Sequence, residues 1–433
     1  MRGRSPHPVP VLLMARELGI GGSERQLAAI AATLDRTRFA PAAGCMQGGG
    51  MRAAELRDAG VPVVEFPVRS LYGPSAIASA RLMGQYLESS GTQLVHTFDV
   101  PMNLFGAPVA RLYRTPVVLT SQRAYRSLTP GLHRHLLRIT DQIADAVVVN
   151  CDAMRRHLIE EEALAPSRIH LCYNGVDPVE FHPLGRVTSP EVTVGVVCAL
   201  RPEKGLSTLL TGFAQAQCGG SRLLIVGSGP QLTELRSLSA SLGIEAVCRF
   251  EPATDRVADW LRHIDIFVLP SLSEALSNSL MEAMACGCAA VASRVGGNPE
   301  LVEDGVTGLT FGAGDAAGLA SALRMLIERE EWRRGMAAAG ALRIREEFSC
   351  QAAARRMGGA FTARMDAGGM RRRASAGSGC SSTSSTISWM RAAIARSSSV
   401  PKTFICSARC SGVRGGAFSA SSRRTLSWMR FSR

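Results

Sequence analysis

Short, continuously apolar segments alternate with helix-like segments over most of the chain, and this alternation restricts the fold more than any other feature. Examples are VPVLLM from Val9, PVVLTS from Pro116, RLLIVG from Arg222 and IDIFVLP from Ile264. Uninterrupted apolar strands separated by helices are typical of parallel sheets that helices cover on both faces. The sequence therefore predicts an α/β fold of the doubly wound, Rossmann-like kind.

The alternation stops at the Pro-containing stretch DPVEFHPLGRVTSPEV, which starts at Asp177, and it begins again at Val192. A chain of 433 residues is too long for one ordinary core, and about two domains are expected. We therefore predict one Rossmann-like domain over residues 1–185 and a second over residues 186–366.

Residues 367–433 have a different composition from the rest. They contain 12 Lys and Arg and no Asp or Glu, whereas residues 1–366 carry 37 basic and 36 acidic side chains. A Ser/Arg/Gly-rich segment of this kind cannot bury enough apolar surface to fold alone, so we expect a disordered tail. Because the body is nearly neutral, the net charge of +13 indicates no specific nucleic-acid partner for it. A tail that contacts anionic surfaces and a tail without a role both stay open.

Several protein classes are disfavoured. No apolar run reaches 18 residues, and the N-terminus does not resemble a signal peptide. The 12 cysteines form no CxxC pair, so we interpret them as reduced thiols of a cytoplasmic protein. The turn GSGP at Gly227 has Leu232 where the dinucleotide fingerprint needs a third glycine, which argues against a nicotinamide-dependent dehydrogenase.

Two strand ends carry features suited to phosphate. Gly21 and Gly22 follow the first strand and would let a ligand approach the backbone closely, although an ordinary loop is the alternative. Arg201 and Lys204 follow the strand VTVGVVC and precede a helix, an arrangement that suits a diphosphate. For this short charged loop taken alone, a solvated surface is the simpler interpretation.

A third strand end carries two glutamates eight positions apart. The strand IDIFVLP ends at Pro270, Glu274 lies in the loop, and Glu282 lies in the first turn of a helix that we expect to begin near Ser279. A capping box of Ser279 and Glu282 is the structural alternative, and an acid ahead of a helix N-terminus would account for Glu274.

The whole segment from Ser271, SLSEALSNSLMEAMACGCAAVASRVGGNPELVEDGVTGLTF, resembles the donor-binding signature of retaining glycosyltransferases of family 4, which have the GT-B fold. The segments GIGGSERQL, YNGVDPVEFHP, LRPEKG and IVGSGP resemble the same family and occur in its order. The resemblance covers about Val11 to Ala363. It implies two Rossmann-like domains facing each other across a cleft, with a C-terminal helix that crosses back to the first domain.

The resemblance also implies roles for individual residues. Glu282 would bind the ribose hydroxyls of a sugar nucleotide, and Glu274 would face the hydroxyls of the transferred sugar. Backbone N–H groups would lie beside that sugar, at Leu276, Ser277 and Asn278.

The phosphate contacts follow from the other matched segments. Lys204 would neutralise the diphosphate leaving group, with Arg201 beside it. Gly21, Gly22 and Gly227 would lie against the donor.

The chain departs from the family pattern at three positions, and one of them is Ala275, where a glycine commonly follows the first glutamate. The family usually has an arginine five residues before the lysine, where this chain has Ala199, and Arg201 is a candidate substitute. Many members carry a histidine where this chain has Gln122, which can donate a hydrogen bond but cannot carry a proton. His96 is the other candidate at the cleft, and a satisfied histidine at a strand end is its alternative. No Asp-x-Asp occurs, so neither a metal nor another cofactor is expected.

These features imply retaining transfer of a sugar from a UDP-, GDP- or ADP-sugar to a glycan, lipid-linked or small-molecule acceptor in cell-envelope or exopolysaccharide synthesis. A non-catalytic GT-B protein that binds nucleotide sugars is the alternative, with Ala199 and Gln122 as signs of lost chemistry, and a sugar-nucleotide epimerase is a third. Six arginines between Val100 and Thr140, with no acidic residue among them, suggest a peripheral contact with anionic membrane or an acidic acceptor. A solvated basic face is the alternative there.

Overall fold

The computed structural model describes residues 7–19, 21–126, 129, 131–184 and 191–377. These residues form two parallel sheets with flanking helices, which confirms the predicted doubly wound α/β fold. The strands are buried on both faces, as continuous apolar runs predict; Leu12, Leu13 and Met14 of the first strand are 0% exposed.

The described part of the N-terminal domain is a seven-stranded sheet in the order β3-β2-β1-β4-β5-β6-β7. Its strands are β1 (Val9–Glu17), β2 (Phe39–Gln47), β3 (Val63–Glu65), β4 (Leu94–Thr97), β5 (Val117–Gln122), β6 (Ala146–Val149) and β7 (Ile169–Leu171). Its helices are α1 (Gly22–Thr33), α2 (Met51–Asp58), α3 (Pro74–Ser89), α4 (Val100–Leu112), α5 (Gly131–Ile143) and α6 (Asp152–Glu160).

In the C-terminal domain the described residues form a six-stranded sheet in the order β10-β9-β8-β11-β12-β13. Its strands are β8 (Val192–Val197), β9 (Ser221–Val226), β10 (Cys248–Glu251), β11 (Ile266–Leu269), β12 (Ala289–Ser293) and β13 (Gly308–Phe311). Its helices are α7 (Leu206–Ala216), α8 (Leu232–Ser241), α9 (Val257–Leu261), α10 (Asn278–Ala285), α11 (Asn298–Leu301), α12 (Ala316–Glu328) and α13 (Glu330–Glu347).

The last helix, α14 (Cys350–Gly377), returns to the N-terminal domain, as expected. Met357 and Phe361 are fully buried in the core formed by the first domain's strands, and Phe361 meets Phe39 edge-to-face. The chain thus passes between the domains twice, once before β8 and once at the start of α14.

Two predicted domain limits, at residues 185 and 367, can be compared with the structure. The boundary at residue 185 falls in residues 185–190, outside the described residues. The final helix runs to Gly377, past the predicted start of the tail at residue 367, and the remainder of that tail also lies outside the described residues. No helix within the described ranges has both the length and the apolar character needed to cross a bilayer.

Candidate active site

Each sheet reverses its strand order at one place, between β1 and β4 in the first domain and between β8 and β11 in the second. Doubly wound domains bind ligands at such switch points, beyond the carboxyl ends of the strands. The Gly21-Gly22 turn follows β1, the loop with Lys204 follows β8, and Glu274 follows β11. The fold therefore places these predicted residues where a ligand is expected.

Lys204 and Glu274 form an ion pair in this region. Lys204 ends a short 3-10 turn, and Gly205 after it adopts a left-handed φ of 63°, where a Cβ would overlap the Pro270 carbonyl oxygen. The Oε1 atom of Glu274 accepts from Lys204 Nζ and from Ser271 Oγ, the latter at 3.0 Å. The predicted cation and the predicted sugar-facing carboxylate are thus direct partners.

The backbone around Glu274 is held by the two glycines that follow β12. Gly296 has a φ of 51°, and a Cβ there would overlap the Glu274 carbonyl oxygen. The Gly297 N–H donates to the Ala275 carbonyl oxygen at 2.6 Å. A side chain at either glycine would push this loop away, so the Gly-Gly pair allows the backbone of Glu274 and Ala275 to lie against the turn after β12.

The start of α10 differs from the sequence prediction. Ser277 is the N-cap, and its Oγ accepts from the Leu280 N–H at 3.3 Å, so the proposed capping box of Ser279 and Glu282 is wrong. The helix begins one residue before Ser279, which moves Glu282 out of the position that reaches back to the cap. Its carboxylate is free of capping and points across the cleft.

Glu282 bonds to Arg25, which lies on α1 of the other domain. The Glu282 side chain is only 5% exposed, and burial raises its pKa, with Arg25 acting in the opposite direction. Burial lowers the Arg25 pKa, but the charge of Glu282, the hydrogen bond to it, and the charges of Glu180 and Glu55 together raise that pKa above its usual value. Sequence reasoning missed Arg25, although it lies within the segment GIGGSERQL.

A chain of amide groups continues this contact between the domains. Gln26 donates to the Gly175 carbonyl oxygen at 2.9 Å and accepts from the Gly175 N–H at 2.7 Å. Asn174 donates to Asn278 Oδ1 at 2.8 Å, and a Cβ on Gly22 would lie 3.0 Å from Asn278 Nδ2. Gly22 therefore brings the backbone of the first domain against the start of α10.

Glu300, three residues after the Gly-Gly pair, fastens the second domain to the first. Its carboxylate accepts from the backbone N–H groups of Asp152 and Ala153 at 2.8 and 2.9 Å, at the N-terminus of α6. The Tyr173 hydroxyl donates to it at 2.8 Å. A carboxylate is favoured at this end of a helix, because the free N–H groups carry partial positive charge.

Arg201 and Gly227, which the sequence also assigned to the donor site, make different contacts from Lys204 and Glu274. Arg201 is 64% exposed, and its partner is Glu203 at 4.0 Å, so it does not join Lys204. Gly227 has a φ of 157°, and a Cβ there would overlap the Cys198 carbonyl oxygen. A side chain at Gly227 would therefore disturb the end of β8.

His96 lies inside the N-terminal domain. Its ring is 0% exposed, packs against Phe98 and Phe361, and bonds to Ser121 Oγ at 2.8 Å. Burial, followed by the charge of Arg123, lowers the His96 pKa well below its usual value. The ring is thus a core histidine with one bonded nitrogen, whereas its buried Nδ1 has no protein partner among the described residues, so the alternative of a fully satisfied histidine is met only in part.

Gln122 ends β5 and is also buried. Its Nε2 donates to the Ala124 carbonyl oxygen, and Arg126 Nε approaches its Oε1 at 3.4 Å. The amide is thus engaged by the loop that follows its own strand.

Most of the six arginines in the run make contacts within the protein. Four of them are engaged by other side chains: Arg111 by Asp145, Arg123 by Asn174, Arg126 by Asp141 and Glu162, and Arg138 by Glu162. The acidic partners follow the run in the chain, and folding brings them back against it. Arg114 and Arg138 stay exposed, so the contact of this face with anionic membrane or an acidic acceptor stays a prediction.

The part of the chain that the structure describes contains no group of three or more His, Cys, Asp or Glu side chains arranged to hold a metal ion. The cysteines in the same part are free thiols.

Two family models match the chain in succession. The model described as Glycosyltransferase Family 4 matches residues 20–180, and the model described as Glycosyl transferases group 1 matches residues 191–329. The first covers the Gly-Gly turn and Arg25, and the second covers Lys204, Glu274 and Glu282.

Curated relatives point the same way. The N-acetyl-alpha-D-glucosaminyl L-malate synthase of Bacillus anthracis is 36% identical over 295 residues, which are 64% of this chain and 76% of the relative. The D-inositol 3-phosphate glycosyltransferase of Thermobifida fusca is 32% identical over 278 residues, 57% of this chain. The chain spans 64% of the length of that second relative.

Solved structures share the fold. The structure of Anabaena HepE in complex with UDP and glucose superposes with a TM-score of 0.70 at 20% identity, covering 81% of this chain and 99% of HepE. Matching family models in both domains, similar relatives and a common two-domain architecture lead to one conclusion: the chain belongs to the family 4 glycosyltransferases, the glycosyl transferases group 1, with the GT-B fold.

Proposed function

We propose that this protein transfers a sugar from a nucleotide-diphosphate sugar to a hydroxyl acceptor, with retention of configuration at the sugar. One observation carries the proposal: Lys204 and Glu274 meet at the switch point of the second sheet, and the helix α10 that follows their loop carries the buried carboxylate of Glu282. One cation and two carboxylates in this arrangement suit a diphosphate and two sets of sugar hydroxyls. The complex of HepE with UDP and glucose is consistent with such a donor.

Each group has a task in this proposal. The ionised Glu282 accepts from the ribose hydroxyls, and Glu274 accepts from the hydroxyls of the transferred sugar. Lys204 Nζ leaves Glu274 in part to approach the diphosphate. N–H groups at the start of α10 lie at the positive end of the helix and add to the attraction for the anionic donor.

The chemical step needs no enzymic nucleophile. The bond between the anomeric carbon and the phosphate oxygen breaks, and its electron pair goes to the departing diphosphate. The acceptor oxygen bonds to the same face of the oxocarbenium-like carbon, and the acceptor proton goes to the leaving phosphate. Lys204 stabilises the charge that develops on the diphosphate.

The donor base and the acceptor are proposed only as classes. UDP-, GDP- and ADP-sugars are the donors to test, and glycans, lipid-linked sugars and small hydroxylated molecules are the acceptors, in cell-envelope or exopolysaccharide synthesis. The names of the two relatives above include D-inositol 3-phosphate and L-malate, which puts small anionic molecules first in an acceptor screen.

The test is a thermal-shift screen over UDP-, GDP- and ADP-sugars, followed by transfer and hydrolysis assays with the donor that stabilises the protein. Product formation that EDTA leaves unchanged is expected, since we propose that no metal or other cofactor takes part. Donor binding without transfer or hydrolysis would favour the non-catalytic alternative. Conversion of the donor to its epimer would favour the third alternative.

Arg201→Ala is expected to change turnover by less than about threefold, because an exposed side chain with a partner at 4.0 Å has little bearing on the cleft. The measurement is kcat with the donor found in the screen. A loss comparable to that of Lys204→Ala would mean that Arg201 swings in and replaces the arginine missing at Ala199.

We also propose that α5, which carries Arg134 and Arg138 of the arginine run, makes the peripheral contact with anionic membrane. Leu132 and Ile139 are 64% and 47% exposed and lie seven positions apart, on one face of the helix with His135. Apolar side chains flanked by basic groups suit the interface of an anionic bilayer.

The double variant Leu132→Ser/Ile139→Ser should sediment with anionic liposomes at least about tenfold less than the wild type, since burying each apolar side chain contributes about 1.5–3 kcal/mol. Leu342→Ser, at an exposed leucine on α13, is the matched control. The proposal fails if the double variant binds anionic liposomes as well as the wild type does. It also fails if a chain ending at Gly377 no longer binds them, because the tail would then be responsible.

A further inference from the structure

The Glu282 carboxylate is enclosed at the contact between the two domains. It projects from α10 of the C-terminal domain, and its side chain is 5% exposed. Its hydrogen-bonding partner is the guanidinium of Arg25, which bonds to Oε1 from α1 of the N-terminal domain. The donor-side carboxylate of one domain thus takes its counter-charge from the other.

Arg25 is held in place by its neighbours in the chain. Gln26 is fixed by two hydrogen bonds to Gly175, at 2.9 and 2.7 Å, and Gly22 lies against Asn278 at the start of α10. The Arg25 Nε is buried and has no protein partner within the described ranges, which leaves a donor available beside the carboxylate. The guanidinium reaches Glu282 only when α1 approaches α10.

We propose that Arg25 is a positioning residue that keeps Glu282 ionised and oriented toward the ribose hydroxyls, so that the N-terminal domain completes the nucleotide site when the domains meet. This inference rests on the proposed function of Glu282 as the ribose ligand. A protonated carboxyl would keep one acceptor oxygen and present a hydroxyl, and it could not accept from both hydroxyls of a diol.

Other charged groups around Glu282 do not replace Arg25. Glu180, in the segment between the domains, raises the Glu282 pKa further, and Arg52 on α2 lowers it. Arg52 is committed to Glu55, with both carboxylate oxygens at 2.7 Å. Without Arg25, burial and Glu180 would therefore prevail over Arg52, and Glu282 would bind a proton at a higher pH than in the wild type.

The sign of the pH effect follows. Nucleotide binding needs the ionised carboxylate, so a variant without Arg25 should lose affinity below the raised pKa of Glu282 and regain it above. The loss approaches about tenfold for each pH unit below that pKa. The wild type should show no such change over the same range.

The experiment measures the Kd of UDP, GDP and ADP by calorimetry from pH 6 to pH 9 for the wild type and for Arg25→Gln. Each Kd is expressed as a ratio to the wild type at the same pH, which cancels the titration of the nucleotide's own phosphate. Arg25→Gln should bind at least about tenfold more weakly at pH 7, with the ratio falling as pH rises. Arg25→Lys should lie between, and Arg57→Gln, at an exposed arginine on α2, is the matched control with a ratio near one.

Three outcomes decide the matter. A ratio for Arg25→Gln that stays near one, or one that is raised equally at all pH values, overturns the inference, because ionisation of Glu282 would then not depend on Arg25. Glu282→Ala should bind weakly at every pH; if it binds as the wild type does, the ribose role of Glu282 fails. A wild type that binds none of the three nucleotides overturns the proposed function, and the role of Arg25 with it.

Discussion

Replacing Lys204 with alanine is expected to lower turnover by about 100- to 1,000-fold, the usual loss when a charged group that stabilises a developing anion is removed. The reason is the position of Nζ, which the loop between β8 and α7 holds beside Glu274. The measurement is kcat at saturating donor and acceptor, so that a loss of binding does not mimic a loss of chemistry.

Because Lys204 is paired with Glu274, a loss of turnover in Lys204→Ala has a second explanation that must be tested. Without Lys204, the Glu274 side chain, which is 12% exposed, keeps a charge without its partner, and this alone could repel the donor. The double variant Lys204→Ala/Glu274→Gln removes that charge and keeps the shape of the side chain. If the double variant turns over as slowly as Lys204→Ala, Lys204 acts on the diphosphate; if it recovers to the turnover of Glu274→Gln alone, the orphaned carboxylate was the cause.

Glu282→Ala is expected to weaken binding of the nucleotide by about 30- to 1,000-fold, equivalent to roughly 2–4 kcal/mol for two lost hydrogen bonds to a charged group. No loss of helix capping needs to be subtracted, because Ser277 caps α10. The measurement is the Kd of the donor nucleotide by calorimetry, with thermal stability recorded in parallel. A fall in stability with an unchanged Kd would assign Glu282 to the contact with Arg25 alone.

Two variants sharpen this test. Glu282→Gln keeps the size of the side chain and one acceptor oxygen, so its affinity should lie between those of Glu282→Ala and the wild type. Glu346→Ala removes an exposed glutamate at the end of α13 and should leave the Kd unchanged. Equal losses in Glu346→Ala and Glu282→Ala would point to a general effect of charge rather than to a specific contact.

The strands that sequence patterns predicted are the buried ones with β-branched residues, such as β5, β8, β9 and β11. Three others were missed. The strand β2, FAPAAGCMQ, is rich in alanine and glycine, and β10 and β13 are four-residue strands at the edges of their sheet. Neither alternation nor a continuous apolar run marks such segments, since pairing with a central strand decides them.

At the site, too, local sequence identified single residues, whereas contacts distant in the chain decided their partners. The segments LRPEKG and SLSEALSNSLMEA identified Lys204, Glu274 and Glu282, because the residues around each strand end are contiguous in sequence. The pairing of Lys204 with Glu274 spans 70 positions, and that of Arg25 with Glu282 spans 257. Those partners are set by strand order and by the approach of the domains.

The sequence by itself determined the fold class, the division into two Rossmann-like domains and the family, because each rests on periodicity or on short motifs within one strand–loop–helix unit. Only the tertiary structure decided which charges are available. It enclosed His96 in the core, paired Arg126 with Asp141 and Glu162, and set Arg25 of one domain against Glu282 of the other. The physical reason is that burial and charge pairing depend on groups brought together from distant parts of the chain, and no local pattern records them.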